Sequence, residues 1–113
     1  MRSIIISALV IALFSSCADK HETRLLLITG GHEIDHGHFV GVFDSMANVT
    51  YDEAVQPQAN EVYGSDSIDQ YDVLVFYDLV QEISEEQKAA FIDMLNRGKG
   101  IVFLHHLGLF FTL

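Results

Sequence analysis

Three unbroken apolar runs constrain this chain more than anything else in it. They are Arg24-Leu25-Leu26-Leu27-Ile28-Thr29, Asp72-Val73-Leu74-Val75-Phe76-Tyr77-Asp78 and Ile101-Val102-Phe103-Leu104. A strand with one wet face alternates apolar and polar residues. One that is apolar throughout is covered on both faces, as in a parallel sheet between layers of helix. The first run stops at Gly30-Gly31, a natural break. His38 to Ala47 then carries Phe39, Val42, Phe43 and Met46 at helical spacing, an amphipathic stripe. Val49 to Val55 reads as a weaker strand. Gln56 to Ser67, with the only proline at Pro57, reads as a loop or a short turn of helix. Ser84-Glu85-Glu86-Gln87 opens a second helix, with Ser84 as N-cap, Gln87 completing a capping box and acidic residues in the first turn. Phe91, Ile92 and Leu95 are its expected buried face, and Gly98 its C′ stop after Arg97. Strands alternating with helices predict an α/β fold with a parallel sheet and right-handed crossovers.

The first seventeen residues read as an address rather than as part of that fold. Met1-Arg2-Ser3 is a short basic start, Ile4 to Phe14 is nearly all apolar, and Ser15-Ser16-Cys17 follows. A dozen apolar residues fall short of the roughly 20 that span a bilayer as a helix, but suit a signal-peptide core. Small residues before a cysteine resemble a lipobox, so residues 1–17 are expected to be a lipoprotein-type signal peptide lipidated at Cys17. Residues 18–23 are the expected polar tether, and 24–113 the folded domain. The protein is then expected to be exported and anchored to a membrane. Cys17 is the only cysteine, which excludes disulfide frameworks and CxxC sites.

Charge narrows the partners. Six Lys and Arg stand against sixteen Asp and Glu, a formal net charge of -10. Nucleic acid and anionic lipid both require clustered basic residues, and here they are few and scattered. Gly30-Gly31 lacks the third spaced glycine of a dinucleotide fingerprint, and no phosphate-loop lysine or Gly-x-Ser-x-Gly elbow is present. Asp44, Asp52 and Glu53 read as solvated face residues rather than a glycosidase pair.

In open parallel sheets, ligands bind beyond the carboxyl ends of the strands. Five of the six histidines fall at two such ends. One is Gly30-Gly31-His32-Glu33-Ile34-Asp35-His36-Gly37-His38, and the other is His105-His106. Tyr77 and Asp78 close the strand between them. His32 or His106 is the expected general base or acid on a sugar hydroxyl, because an imidazole exchanges protons near neutral pH. Gly31, Tyr77, Asp78 and His105 are the expected substrate contacts. A divalent metal such as zinc or manganese on His36 and His38 is a second expectation. Against both stands a solvated histidine loop and a His pair that merely caps a strand. Adjacent strand residues point to opposite faces, so His105 and His106 share a pocket only if the strand has already ended.

Four blocks in order carry a family resemblance: Leu26-Leu27-Ile28-Thr29-Gly30-Gly31-His32, Tyr71 to Asp78, Ser84 to Lys88, and Arg97 to His106. Over about Arg24 to Gly108 the chain resembles the N-terminal part of ThuA-like (trehalose-utilisation) domains. That family is similar in fold to class I glutamine amidotransferases, so the resemblance implies a flavodoxin-like three-layer sandwich, here incomplete. It also implies a role in using trehalose or related keto-sugars, with a small carbohydrate as ligand and with His32 and His105-His106 at the site. Amidotransferases place a nucleophilic cysteine in Gly-x-Cys-x-Gly. The corresponding turn, Leu104-His105-His106-Leu107-Gly108, has no cysteine, which excludes glutaminase chemistry. Family members continue with further strands, so the chain is expected to be a truncated domain. A non-catalytic sugar- or partner-binding module and an inactive fragment are the alternatives.

Overall fold

The computed structural model of the protein describes residues 21–79 and 82–104. Cys17, His105 and His106 lie outside the described residues. Within them the chain is α/β, with four strands in one all-parallel sheet: β1 (Thr23–Gly30), β2 (Val49–Val55), β3 (Val73–Asp78) and β4 (Gly100–Phe103). Helices α1 (His36–Asp44) and α2 (Glu85–Asn96) make the first and last crossovers, and two 3₁₀ segments (Gln58–Gly64, Asp66–Gln70) make the middle one.

The strand order is β2-β1-β3-β4, that of a flavodoxin-like doubly wound sheet. The chain moves one way from β1 to β2 and the other way from β1 to β3. Right-handed crossovers then place α1 on one face and the later connections on the other. The core divides accordingly. Leu25, Leu27 and Val75 pack with Phe43 of α1, while Leu26, Ile28, Leu74 and Phe76 pack with Tyr63, Ile68, Phe91 and Met94. Successive residues of β1 and β3 supply opposite clusters, which is why neither strand has a polar position to spare.

Local signals held where the chain needs no partner to satisfy them. Ser84 Oγ accepts from the Gln87 N–H at 3.1 Å, and Gln87 Oε1 accepts from the Ser84 N–H at 3.1 Å. Gly98 follows the Arg97 C-cap with φ +89°. Elsewhere packing altered the expected faces. α2 buries Phe91 and Met94, not Phe91 with Ile92 and Leu95, which are 38% and 40% exposed. The buried stripe runs through Phe91 and Met94 at i, i+3, and Ile92 and Leu95 lie on the flank beyond it. α1 starts at His36 because Asp35 caps it, accepting from the His38 N–H at 3.0 Å. It stops at Asp44, leaving Val42 and Met46 exposed. Thr23, assigned to the tether, is the first residue of β1: it pairs with Val49, and its N–H donates to Asn48 O at 2.8 Å.

Over 58–70 the chain takes the short helical turn rather than the loop: two 3₁₀ turns bury Ala59, Asn60, Tyr63 and Ile68. The signal was present as a spacing of three, Ala59–Val62 and Asn60–Tyr63, the period of a 3₁₀ turn rather than of an α-helix.

Candidate functional site

The sheet's direction of growth reverses at β1, so β1 and β3 diverge in their connections and leave a crevice beyond their carboxyl ends. Gly30 and Gly31 turn the chain sharply there, with φ of +134° and +78°. Gly30 also lies tight against β2's exit: a Cβ on it would meet Gln56 Cβ and Gln56 N at 3.0 Å each. This close approach brings the ends of β1, β2 and β3 together.

His32 is folded back over the crevice by that turn. Its Nδ1 lies 3.2 Å from Gly30 O. A carbonyl only accepts, so Nδ1 carries the hydrogen and Nε2 the lone pair of the neutral ring. Nε2 is buried and has no hydrogen-bond partner. The ring meets Tyr77 edge to face, with centroids 5.0 Å apart and planes at 83°.

Tyr77 and Asp78, adjacent at the end of β3, point to opposite faces of the sheet. Tyr77 stacks on Phe39 of α1 at 5.2 Å and 22°. Together they wall a cleft of about 330 Å³, completed by Ile34, Asp35, His38 and Leu104. Asp78 turns the other way, towards Gln56 and Tyr63, and is buried. Burial pushes its carboxyl up from the ordinary range, against the opposing pull of the Gln56 carboxamide, its own backbone N–H and His32. Burial likewise raises the Tyr63 hydroxyl, to which Gln56 Nε2 donates at 3.4 Å. Gln56 is thus a member of the site that sequence reasoning missed. Nothing in its immediate sequence marks it, and only the pairing of β2 beside β1 brings it to the crevice.

The histidine loop splits into separate pairs. His36 Nε2 meets Glu53 Oε1 at 2.6 Å, and His38 Nδ1 meets Asp35 Oδ2 at 2.7 Å. Hydrogen bonds from the His38 backbone and side chain hold the Asp35 carboxyl below its usual range. His36 and His38, the expected metal ligands, each take a different carboxylate. Among the described residues no three His, Cys, Asp or Glu side chains gather to hold a metal ion. Gly31 is exposed at the turn itself. The acidic residues read as solvated also have partners. Asp44 accepts from the Tyr51 hydroxyl at 2.6 Å, and Asp52 from Arg24 Nη2 at 2.7 Å and the Tyr71 hydroxyl at 2.9 Å.

The arrangement offers an apolar aromatic wall, a polar rim from Asp35 and His38, and one tautomer-fixed imidazole beside the wall. Such a site can lay the C–H face of a small polyol on a ring and hydrogen-bond its hydroxyls. No family model matches the chain, and no curated protein or solved structure matches it.

Proposed function

We propose that this chain is an exported carbohydrate-utilisation domain that binds a small neutral sugar at the crevice between β1 and β3. The observation that carries this reading is the joining of the Tyr77–Phe39 cleft to His32, whose Nδ1 is committed to Gly30 O and whose Nε2 has no partner. A sugar ring lies against Tyr77 while Asp35 and His38 take hydroxyls at the rim. His32 Nε2 then accepts a proton from a sugar hydroxyl, and Gly30 O keeps the imidazolium oriented. The ThuA-like order of the four sequence blocks supports a trehalose-type ligand. The apolar leader ending in Ser15-Ser16-Cys17 supports export and a lipid anchor.

Calorimetric titration of the full chain with trehalose tests the binding reading, with Tyr77→Ala and His32→Gln alongside. Loss of the Tyr77 wall is expected to weaken binding about tenfold, the scale of one aromatic contact. His32→Gln is expected to keep most of the affinity and lose any turnover. Wild-type affinity in Tyr77→Ala places the sugar elsewhere, and a wild-type chain that binds no sugar ends the proposal. Membrane fractionation of Cys17→Ala tests the anchor separately: unchanged partition sinks lipidation.

A further inference from the structure

Charge is divided unevenly between the two halves of the fold. Between His21 and Leu79 stand eleven acidic side chains and one basic, Arg24. From Ser84 to Leu104, through α2 and β4, Glu85, Glu86 and Asp93 are balanced by Lys88, Arg97 and Lys99. The two outer strands of the sheet differ in the same way. β2 carries Asp52 and Glu53 mid-strand, the kind of charge that guards an edge against pairing. β4 is Gly100-Ile101-Val102-Phe103, without a charge or a proline, and among the described residues it pairs only with β3. Gly100 and Leu104 donate their N–H groups on the β3 side, to Asp72 O and Phe76 O. Hydrogen bonding alternates along a parallel strand, so Ile101 turns its N–H and C=O to the open side.

Apolar surface flanks that edge on both faces of the sheet. α2 turns Asp93 and Arg97 towards the 3₁₀ segments, where Arg97 pairs with Asp69. Phe91 and Met94 face the sheet. Lys88, Ile92 and Leu95, at i, i+4 and i+7, are left on the flank towards β4, because a right-handed crossover sets α2 between β3 and β4. Ile92 and Leu95 are exposed there. On the α1 face, Val102 pairs with Val75 in register and is 43% exposed.

We propose that β4 is a dimerisation edge, pairing antiparallel with β4 of a second copy about a two-fold axis while the Ile92–Leu95 flank of α2 packs on its counterpart. Antiparallel pairing of identical strands sets the axis perpendicular to the sheet. The two α2 helices then lie side by side on one face, and each flank meets itself. A chain of net charge -10 repels its own copies through most of its surface. Among the described residues the α2–β4 side is where charges balance, so two copies approach there without that cost. Each supplies the other with backbone partners and apolar cover. A basic partner would be drawn to the acidic half instead. The dimer does not rest on the carbohydrate reading.

The test is the mass of the full chain by light scattering after gel filtration, with amide hydrogen exchange at Ile101 followed in the same samples. At about 0.15 M salt, where the repulsion is screened, wild type is expected at twice the monomer mass with Ile101 protected. Val102→Lys and Leu95→Lys are each expected to return the monomer mass and to speed Ile101 exchange by about tenfold or more. Val55→Lys, at the opposite edge of the sheet, is expected to leave the dimer intact. Val102 and Leu95 are exposed and lie on different elements, so one variant that melts as a folded protein suffices. A wild-type monomer overturns the proposal, and Ile101 protected in that monomer assigns the edge to the chain's own residues. Association that survives both lysines also overturns it and places the contact elsewhere, such as on the apolar run Ile4 to Phe14.

Discussion

At the scale of single residues, two glycines of the same chain are under opposite constraints. Gly30 has φ +134° and no room for a Cβ against Gln56, whereas Gly41 sits within α1 with nothing within 4 Å of a Cβ. Gly30→Ala is expected to destabilise by about 3 kcal/mol through strain and overlap. Gly41→Ala is expected to stabilise by about 0.5–1 kcal/mol through helix propensity. Paired denaturant melts check both, and equal effects would refute the assignment of strain to Gly30. The carboxyl groups make a second contrast. Asp78 has a folded-state pKa above its unfolded one, so its contribution is fully present below about pH 4 and is lost as pH rises through the folded value. Asp52 is depressed, first by the Arg24 hydrogen bond and then by Tyr71, so its contribution is present above about pH 4 and is lost as pH falls through the folded value. Stability measured from pH 3 to 8 is expected to lose its downward trend on the alkaline side of pH 4 in Asp78→Asn. An unchanged slope there would mean that Asp78 does not hold its proton in the folded state. His32 and Asp78 were legible as site candidates because they follow apolar runs at strand ends. That Asp78 turns away from Tyr77 was legible only as a parity, not as a destination.

At the scale of elements, capping was readable and facing was not. The Ser84–Gln87 capping box forms as its sequence requires, because both partners lie within four residues. Ser84→Ala is expected to cost about 1 kcal/mol in thermal or denaturant unfolding. Which side of α2 meets the core depends on where the sheet and the 3₁₀ layer lie. Phe91 and Met94 face them, while Ile92 and Leu95 remain partly in solvent. Met94→Ala is therefore expected to cost about 2–5 kcal/mol and Leu95→Ala well under 2. The reverse order in melts would restore the face expected from apolarity alone. The segment 58–70 stayed open between a loop and a short helical turn, because a spacing of three over so short a span does not separate them until its side chains are seen buried.

At the scale of the whole molecule, charge acts against compactness. A net charge of -10 makes the folded state repel itself, and among the described residues the Arg–Asp ion pairs available to offset this are exposed: Arg24–Asp52, Arg97–Asp69 and Arg97–Asp93. Exposed pairs contribute about 0–1 kcal/mol each and are screened by salt, but so is the repulsion. With excess acidic charge the repulsion is the larger effect. The melting temperature is expected to rise between low ionic strength and about 0.15 M salt. A fall would show that the three pairs outweigh the net charge.

The sequence by itself determined the class of the fold. Strand-length runs without polar alternation must be covered on both faces, and in one sheet joined through helices that forces parallel strands. It also determined the breaks, at Gly30-Gly31 and Gly98, and the cap at Ser84, because these depend on neighbours along the chain. Tertiary structure alone decided the order β2-β1-β3-β4, and with it the meeting of Gly30, Gln56 and Asp78. It also sent His36 and His38 to different carboxylates. Those outcomes rest on contacts between residues far apart in sequence, which local periodicity cannot encode. The site is made by the register of strands, and register is settled only when both faces of the sheet are packed.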